Sequence, residues 1–126
     1  MKEVYEYLKE AGTWFLAVAE GGQPHLHPLG NVFLYRDRLY FLTARQQTVS
    51  RELHANPRVE LCALQGTQWL RVEGNTVLDD AQDARESLLP CADPYNPGGA
   101  DMERWYLRNC IAALYTGAEL VRTWRF

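Results

Sequence analysis

Short runs of β-forming residues, each closed by a turn signal, constrain the fold of this chain more than any other feature. The run at 13–20 ends at Gly21-Gly22, a dipeptide typical of two-residue hairpins, and a second run covers 23–35. Prolines within the second run place it at a sheet edge or a bulge, because proline cannot donate to a β-ladder. Further runs cover 39–43, 58–65, 68–78, 106–115 and 118–126. Six or seven short strands favour a small barrel over a doubly wound sheet.

Three brief helical patterns interrupt these strands. Apolar residues at helical spacing predict a helix over 2–11. A second helix is expected over roughly 49–55 with Thr48 as its N-cap, and a third over 81–89 with Asp79-Asp80 as its cap. Neither a Rossmann nor a P-loop fingerprint joins a strand to any of these helices.

The composition limits the classes of protein to which the chain can belong. With 126 residues, it is expected to form one domain over 1–126. A net charge of −3 without a basic stripe argues against binding to nucleic acid. No apolar run is long enough to span a membrane and the first residues are acidic, so a cytoplasmic location without a membrane anchor is expected. The three cysteines follow no CxxC pattern and are predicted to be reduced thiols.

The segment TARQQTVSREL, at 43–53, places a polar loop between a strand end and a helix start. The strand end leaves the amides of 44–48 without ladder partners, and the helix directs its first amides and its positive dipole end towards the same point. Hydroxyl, amide and guanidinium groups surround that point, and they belong to Thr43, Arg45, Gln47, Thr48 and Arg51. Such donors suit a phosphate monoester. The structural alternative is that the two threonines are an ordinary strand residue and an ordinary cap.

Three motifs in this order resemble those of the pyridoxamine 5′-phosphate oxidase-like, FMN-binding split-barrel proteins. They are LYFLT at 39–43, ELHANPRVEL at 52–61 and WLRVEG at 69–74. The resemblance covers nearly the whole chain and is strongest to short bacterial members of the general stress and nitroimidazole-resistance-like types. It implies a mainly β fold, a six-stranded Greek-key split barrel, which forms homodimers with FMN sites at the subunit interface.

The resemblance also implies which residues contact the flavin. The strand around His27 would lie beside the isoalloxazine ring, and the strand end at Thr43 would approach the ring and the ribityl phosphate. Gln47 belongs to the phosphate loop, while Trp69 and Arg71 lie on the strand that reaches the neighbouring subunit's site. With the arginines of the loop, the expected cofactor-binding residues are His27, Pro28, Leu29, Leu42, Thr43, Ala44, Arg45, Gln47, Thr48, Arg51, Trp69 and Arg71.

Three departures from the family pattern bear on affinity and substrate. Relatives usually carry Lys at the position of Gln47 and more often carry Arg at that of His27. Glutamine can donate a hydrogen bond but adds no charge, and the loss of one ionic contact costs about 1.5–3 kcal/mol, or one to two powers of ten in affinity. The vitamin B6 oxidases hold their substrate with an Arg-x-His motif near the C-terminus. This chain ends in LVRTWRF, so oxidation of pyridoxamine phosphate is not predicted.

The resemblance therefore predicts an FMN-dependent oxidoreductase that acts on an unidentified small acceptor, with NAD(P)H or another small reductant as electron donor. No catalytic side chain is predicted, because the flavin carries the redox chemistry and no nucleophile or carboxylate pair suggests hydrolysis. The alternatives are a non-catalytic flavin- or haem-binding sensor, deazaflavin in place of FMN, and an oligonucleotide-binding barrel of the OB type.

Two further features have both structural and functional interpretations. His25 and His27 lie on the same face of a strand, an arrangement that can bind a metal ion. The sequence suggests no third ligand, since His54 is expected to be exposed on its helix, and no metal site is predicted. Tyr95 and Trp105 flank a Pro- and Gly-rich loop at 90–101 and are expected to pack at the surface rather than to cover a ligand.

Overall fold

A computed structural model describes residues 1–91, 93–97, 99 and 101–126 of the chain. Within these residues no helix is both long enough and apolar enough to cross a lipid bilayer. The helices and strands, in chain order, are α1 (Lys2–Ala11), β1 (Trp14–Glu20), β2 (Gln23–Leu29), β3 (Phe33–Tyr35), β4 (Arg38–Ala44), α2 (Thr48–Ala55), β5 (Arg58–Gln65), β6 (Gln68–Leu78), α3 (Gln82–Ser87), β7 (Met102–Thr116) and β8 (Glu119–Arg125).

The eight strands of the described residues form one antiparallel sheet with the order β2-β1-β5-β6-β7-β4-β3, and β8 is added to β7. The long strand β7 connects the two halves of this sheet. Its first residues pair with β4, its last residues pair with β8, and β6 pairs along its other edge. The outer strands β2 and β3 do not pair with each other, so the barrel stays open. The mainly β, split-barrel fold class predicted from the sequence is confirmed.

The described residues form eight strands rather than the six or seven predicted, because the predicted run at 23–35 is divided into β2 and β3. Asn31, which lies between these strands, is buried, and its side chain replaces a neighbouring strand as the partner of Leu42. Its Nδ2 donates to the Leu42 carbonyl at 3.0 Å, and the Leu42 amide donates to its Oδ1 at 2.7 Å. Side-chain bonds of this kind compete with ladder bonds and end the strand locally.

Two predicted helix caps are wrong in detail. The N-cap of α2 is Gln47, whose carbonyl accepts the amide of Ser50 at 3.1 Å, and Thr48 is the first residue of the helix. The N-cap of α3 is Ala81, whose amide donates to Asp79 Oδ1 at 3.1 Å. This third helix is shorter than predicted and ends at Ser87, since Pro90 disfavours helical geometry in the residue before it.

The main hydrophobic core lies between the inner face of the sheet and the helices α1 and α2. Trp14 and Phe41 meet edge to face within it, with ring centroids 5.4 Å apart. Both helices supply residues at helical spacing to this core, namely Val4, Leu8, Val49 and Leu53. The packing of α2 against the sheet fixes the loop that precedes it.

All three cysteines lie in the described residues and none forms a disulfide, as predicted.

A β-bulge in β6 explains the glycine of the WLRVEG motif. The pairing with β7 shifts between Glu73 and Asn75. A Cβ atom on the intervening Gly74 would lie 2.6 Å from Cys110 Sγ and 3.2 Å from the Arg108 carbonyl oxygen. Only glycine therefore allows the two strands to approach this closely.

Candidate functional site

The loop between β4 and α2 borders an open cavity of about 470 Å³, within the usual range for small-ligand sites. Within the described residues, the amides of Thr48 and Val49 have no hydrogen-bond partner. They are the first amides of α2, where the helix dipole adds partial positive charge. The residues lining this loop cavity are Ala44, Gln46, Gln47, Thr48, Pro97 and Asp101.

Arg45 of the loop and Arg51 of α2 are both held by acidic side chains. Arg45 Nε donates to Asp101 Oδ1 at 2.8 Å, and its Nη1 donates to Glu103 Oε2 at 3.3 Å. The hydrogen bond to Asp101 raises the pKa of Arg45 above its usual value. Arg51 is paired with Glu20. The positive charge expected at the loop is thus largely balanced, and the donors that remain are neutral.

The Thr43 hydroxyl, expected to donate to the phosphate, is used inside the protein. Thr43 is fully buried, its Oγ1 lies 2.5 Å from Ser50 Oγ, and it accepts a hydrogen bond from Trp105 Nε1 at 2.9 Å. His54 packs against the Trp105 ring, with centroids 5.0 Å apart. The Thr43 side chain therefore positions the end of β4, while the loop beyond it faces the cavity.

The other predicted flavin-contacting residues are dispersed. Only Ala44, Gln47 and Thr48 of the predicted set line the loop cavity. Leu29 and Leu42 are buried in hydrophobic clusters. Pro28 is exposed on β2, the outermost strand at one end of the sheet, and His27 on the same strand is half-buried. Apart from Ala44, the predicted residues of β2 and β4 thus do not line the loop cavity in the single chain.

Trp69 and Arg71 lie together on the outer face of the sheet, as their alternate positions on a strand predict. The Arg71 guanidinium carbon lies 4.9 Å from the Trp69 ring centroid, and Trp69 stacks on Tyr115 at 4.4 Å. The β-ladders place Leu64 and Leu120 beside this aromatic pair. Both leucines are more than half exposed, at 59% and 53%. We call Leu64, Trp69, Tyr115 and Leu120 the outer apolar row.

A second cavity, of about 360 Å³, opens on the same outer face around the bulge at Gly74. Its lining includes the carboxylates of Glu60 and Glu73. Arg58 also lines this second cavity and Asp101 lines the loop cavity, so charged side chains alone do not separate the two. The loop cavity is the better anion site because it adjoins the first amides of α2.

The sequence did not single out Glu52, a fully buried carboxylate on α2. His27 Nε2 lies 2.6 Å from its Oε1, and His25 Nδ1 lies 3.0 Å from its Oε2. Helical spacing could have indicated its burial, because Glu52 lies three residues after Val49 and one before Leu53, beside the apolar face of α2. His25 and His27, the two histidines noted in the sequence, thus both contact the carboxylate of Glu52.

Buried Asp93 anchors the part of the 90–101 loop that the structure describes. Its Oδ2 accepts the Gly30 amide at 3.0 Å and Asn31 Nδ2 at 2.6 Å. The Tyr95 hydroxyl lies 3.2 Å from Thr13 Oγ1, and Tyr95 is exposed as predicted. The prediction that Trp105 packs at the surface is wrong, because Trp105 is buried in the core. Neither aromatic residue covers the loop cavity. Three residues of the predicted loop, Ala92, Gly98 and Ala100, lie outside the described residues.

Comparison with known proteins assigns the chain to a family. A family profile described as pyridoxamine 5′-phosphate oxidase matches residues 1–96. A NimC/NimA family protein from Clostridium acetobutylicum is 27% identical, with a TM-score of 0.85 over 100% of this chain and 93% of that one. General stress protein 26 from Bacillus anthracis is 16% identical, with a TM-score of 0.67 over 99% and 98%.

A pyridoxamine 5′-phosphate oxidase-related, FMN-binding protein from Nostoc punctiforme is 18% identical, with a TM-score of 0.67 over 90% of this chain and 80% of that one. No curated protein sequence matches the chain. The family profile covers most of the chain, and the structural similarity extends over its full length. This protein therefore belongs to the pyridoxamine 5′-phosphate oxidase family.

Proposed function

We propose that the protein is a cytoplasmic, homodimeric FMN-binding flavoprotein that acts as an oxidoreductase on a small acceptor. The observation that carries this proposal is the loop cavity beside the start of α2, where the amides of Thr48 and Val49 have no partner among the described residues. A phosphate placed there would receive several hydrogen bonds and the favourable end of the helix dipole. Membership of the family supports FMN as the molecule that brings the phosphate.

The donors of the loop fit a phosphate, but they hold it with little formal charge. Gln47 takes the position at which relatives usually carry Lys. Arg45 is already bonded to Asp101, and Asp101 itself lines the cavity. Amide and hydroxyl donors therefore provide most of the binding energy. We expect weaker FMN affinity than in lysine-containing relatives, by about one to two powers of ten.

In this proposal the flavin ring lies between the free edge of β2 and a second subunit. As the terminal strand of the sheet, β2 has one edge without a neighbouring strand, so some of its backbone groups are available to polar atoms of the ring. Bound FMN would supply hydride or electron transfer, with NAD(P)H or another small reductant as donor. The role of the chain is to bind the cofactor, to orient it and to shield it from water.

The outer apolar row is the surface that we assign to the second subunit. Leu64 and Leu120 flank the stacked pair of Trp69 and Tyr115, and an exposed apolar surface of this kind is typical of a protein–protein contact. In such a dimer, Trp69 and Arg71 would lie at the subunit interface, where the ring of a flavin could contact both chains.

The test is the visible absorption spectrum of the purified protein after incubation with excess FMN and gel filtration, followed by anaerobic addition of NADH or NADPH. We expect retained flavin absorption that is bleached by the nicotinamide. A colourless protein that does not quench the fluorescence of added FMN would contradict FMN binding. A haem spectrum would assign the other cofactor instead, and bound flavin that no reductant bleaches would contradict the oxidoreductase function.

A further inference from the structure

We propose that Glu20, His25 and Glu52 form a binding site for a divalent transition-metal ion such as Zn²⁺, independent of the flavin. One potential ligand atom from each of these residues lies within 4.8 Å of the other two. They come from β1, β2 and α2, so the fold rather than local sequence brings them together.

The strongest indication is the state of the Glu52 carboxylate. The side chain is fully buried, and its Oε2 has no hydrogen-bond partner among the residues that the structure describes. His25 Nδ1 lies only 3.0 Å from this oxygen, yet the two atoms lack hydrogen-bonding geometry. A buried carboxylate oxygen without a partner is costly. A cation that accepts a lone pair from both atoms would remove this cost.

The spacing of these atoms suits a shared metal ion. Two ligand atoms about 2.0–2.1 Å from a tetrahedral Zn²⁺ are about 3.3 Å apart. The observed 3.0 Å between His25 Nδ1 and Glu52 Oε2 therefore needs only a small adjustment. His25 and Glu20 are partly exposed, which leaves a route for the ion and room for a water molecule as fourth ligand.

His27 has the role of an orienting residue in this arrangement. Its Nε2 lies 2.6 Å from Glu52 Oε1, the oxygen that is not directed at His25. Hydrogen bonds to the second oxygen of a ligating carboxylate fix its orientation and support metal binding. The metal site thus has three ligands and one supporting histidine.

Arg51 is the competing group, because it forms an ion pair with Glu20. The Arg51 side chain is 61% exposed, and ion pairs open to water are weak, so Glu20 can exchange this partner for a metal ion. The nitrogen ligand favours Zn²⁺ and similar ions over Mg²⁺ and Ca²⁺, which prefer oxygen ligands.

The test is calorimetric titration of tag-free, chelator-treated protein with Zn²⁺, and in parallel with Mg²⁺. We expect one Zn²⁺ per chain, an increase in thermal stability on binding, and much weaker binding of Mg²⁺. His25→Ala should reduce Zn²⁺ affinity by a factor of about ten or more, and Glu52→Gln should do the same, with its folding checked by circular dichroism. His25 is partly exposed, so its variant should fold even if the Glu52 variant does not.

His54→Ala is the matched control. His54 also lies on α2 and is bonded to a buried acid, with its Nε2 2.8 Å from Glu103 Oε2, but it does not belong to the three-residue cluster. This variant should bind Zn²⁺ as the wild type does. Absence of saturable binding to the wild type, equal affinity for Mg²⁺, or equal losses in the His25 and His54 variants would each overturn the proposal.

Discussion

The indole nitrogen of Trp105 donates a hydrogen bond to the hydroxyl of Thr43 at 2.9 Å and thereby joins β7 to the end of β4 beside the loop cavity. The same hydroxyl lies 2.5 Å from Ser50 Oγ on α2. Three elements therefore meet at one buried oxygen atom, which makes Thr43 a structural residue of the candidate site.

Thr43→Val tests this structural role. Valine keeps the shape of threonine but leaves the Trp105 N–H without its acceptor, so the free energy of unfolding should fall by about 1–3 kcal/mol in urea denaturation. FMN affinity should change by less than about threefold, because this hydroxyl does not face the cavity. Unchanged stability together with a large loss of FMN affinity would show instead that the hydroxyl binds the phosphate.

Gln47→Lys tests whether the loop lacks a charge. A lysine at this position adds a positive charge to a group of uncharged hydrogen-bond donors. FMN should therefore bind about ten times more tightly, as measured by fluorescence quenching. The affinity of the variant should also fall more steeply with salt than that of the wild type.

The control for this substitution is Gln82→Lys, which adds the same charge on α3 rather than in the loop. Its FMN affinity should equal that of the wild type. Equal gains in the two variants would mean that the net charge of the protein, and not the loop, determines phosphate binding.

Leu120→Asp tests the proposed dimer. A charge in the outer apolar row should be strongly unfavourable in a buried interface, so light scattering after gel filtration should show a shift from dimer to monomer. Leu89→Asp is the matched control, because Leu89 is exposed to a similar extent, 62% against 53%, outside the outer apolar row. A wild-type monomer, or dissociation of both variants alike, would argue against this interface.

Gly74→Ala tests the close approach of β6 and β7. The added methyl group would meet Cys110 Sγ at 2.6 Å and force the bulge to shift, so thermal denaturation should show a loss of about 1–3 kcal/mol. The neighbouring substitution Glu73→Ala removes an exposed side chain from the same strand and should have little effect. Equal stability of the glycine variant and the wild type would contradict the packing at the bulge.

The sequence predicts those features of the protein that depend on local patterns. Gly21-Gly22 marks the hairpin between β1 and β2, and alternating apolar residues mark most of the strands. The position of the loop between a strand end and a helix start is also local, which is why 44–48 could be identified as a candidate phosphate site. The number of short strands favoured a small barrel, and the resemblance to a known family then supplied the split-barrel topology.

The electrostatics of the site depend on contacts between distant residues, and no local pattern encodes them. Arg45 meets Asp101 across 56 positions, and Arg51 meets Glu20 across 31. Read from the loop alone, both arginines look available for a phosphate. Asn31 likewise divides a predicted strand because its side chain reaches the backbone of Leu42, a contact that composition does not reveal.

The most direct test of the loop cavity as a phosphate site is a comparison of FMN with riboflavin, which carries the same ring without the phosphate. Both are titrated into the purified protein at low and at high salt, with flavin fluorescence as the readout. We expect FMN to bind at least about ten times more tightly, with an affinity that changes little with salt, because neutral donors hold the phosphate. Equal affinities for FMN and riboflavin would contradict a phosphate site at the start of α2.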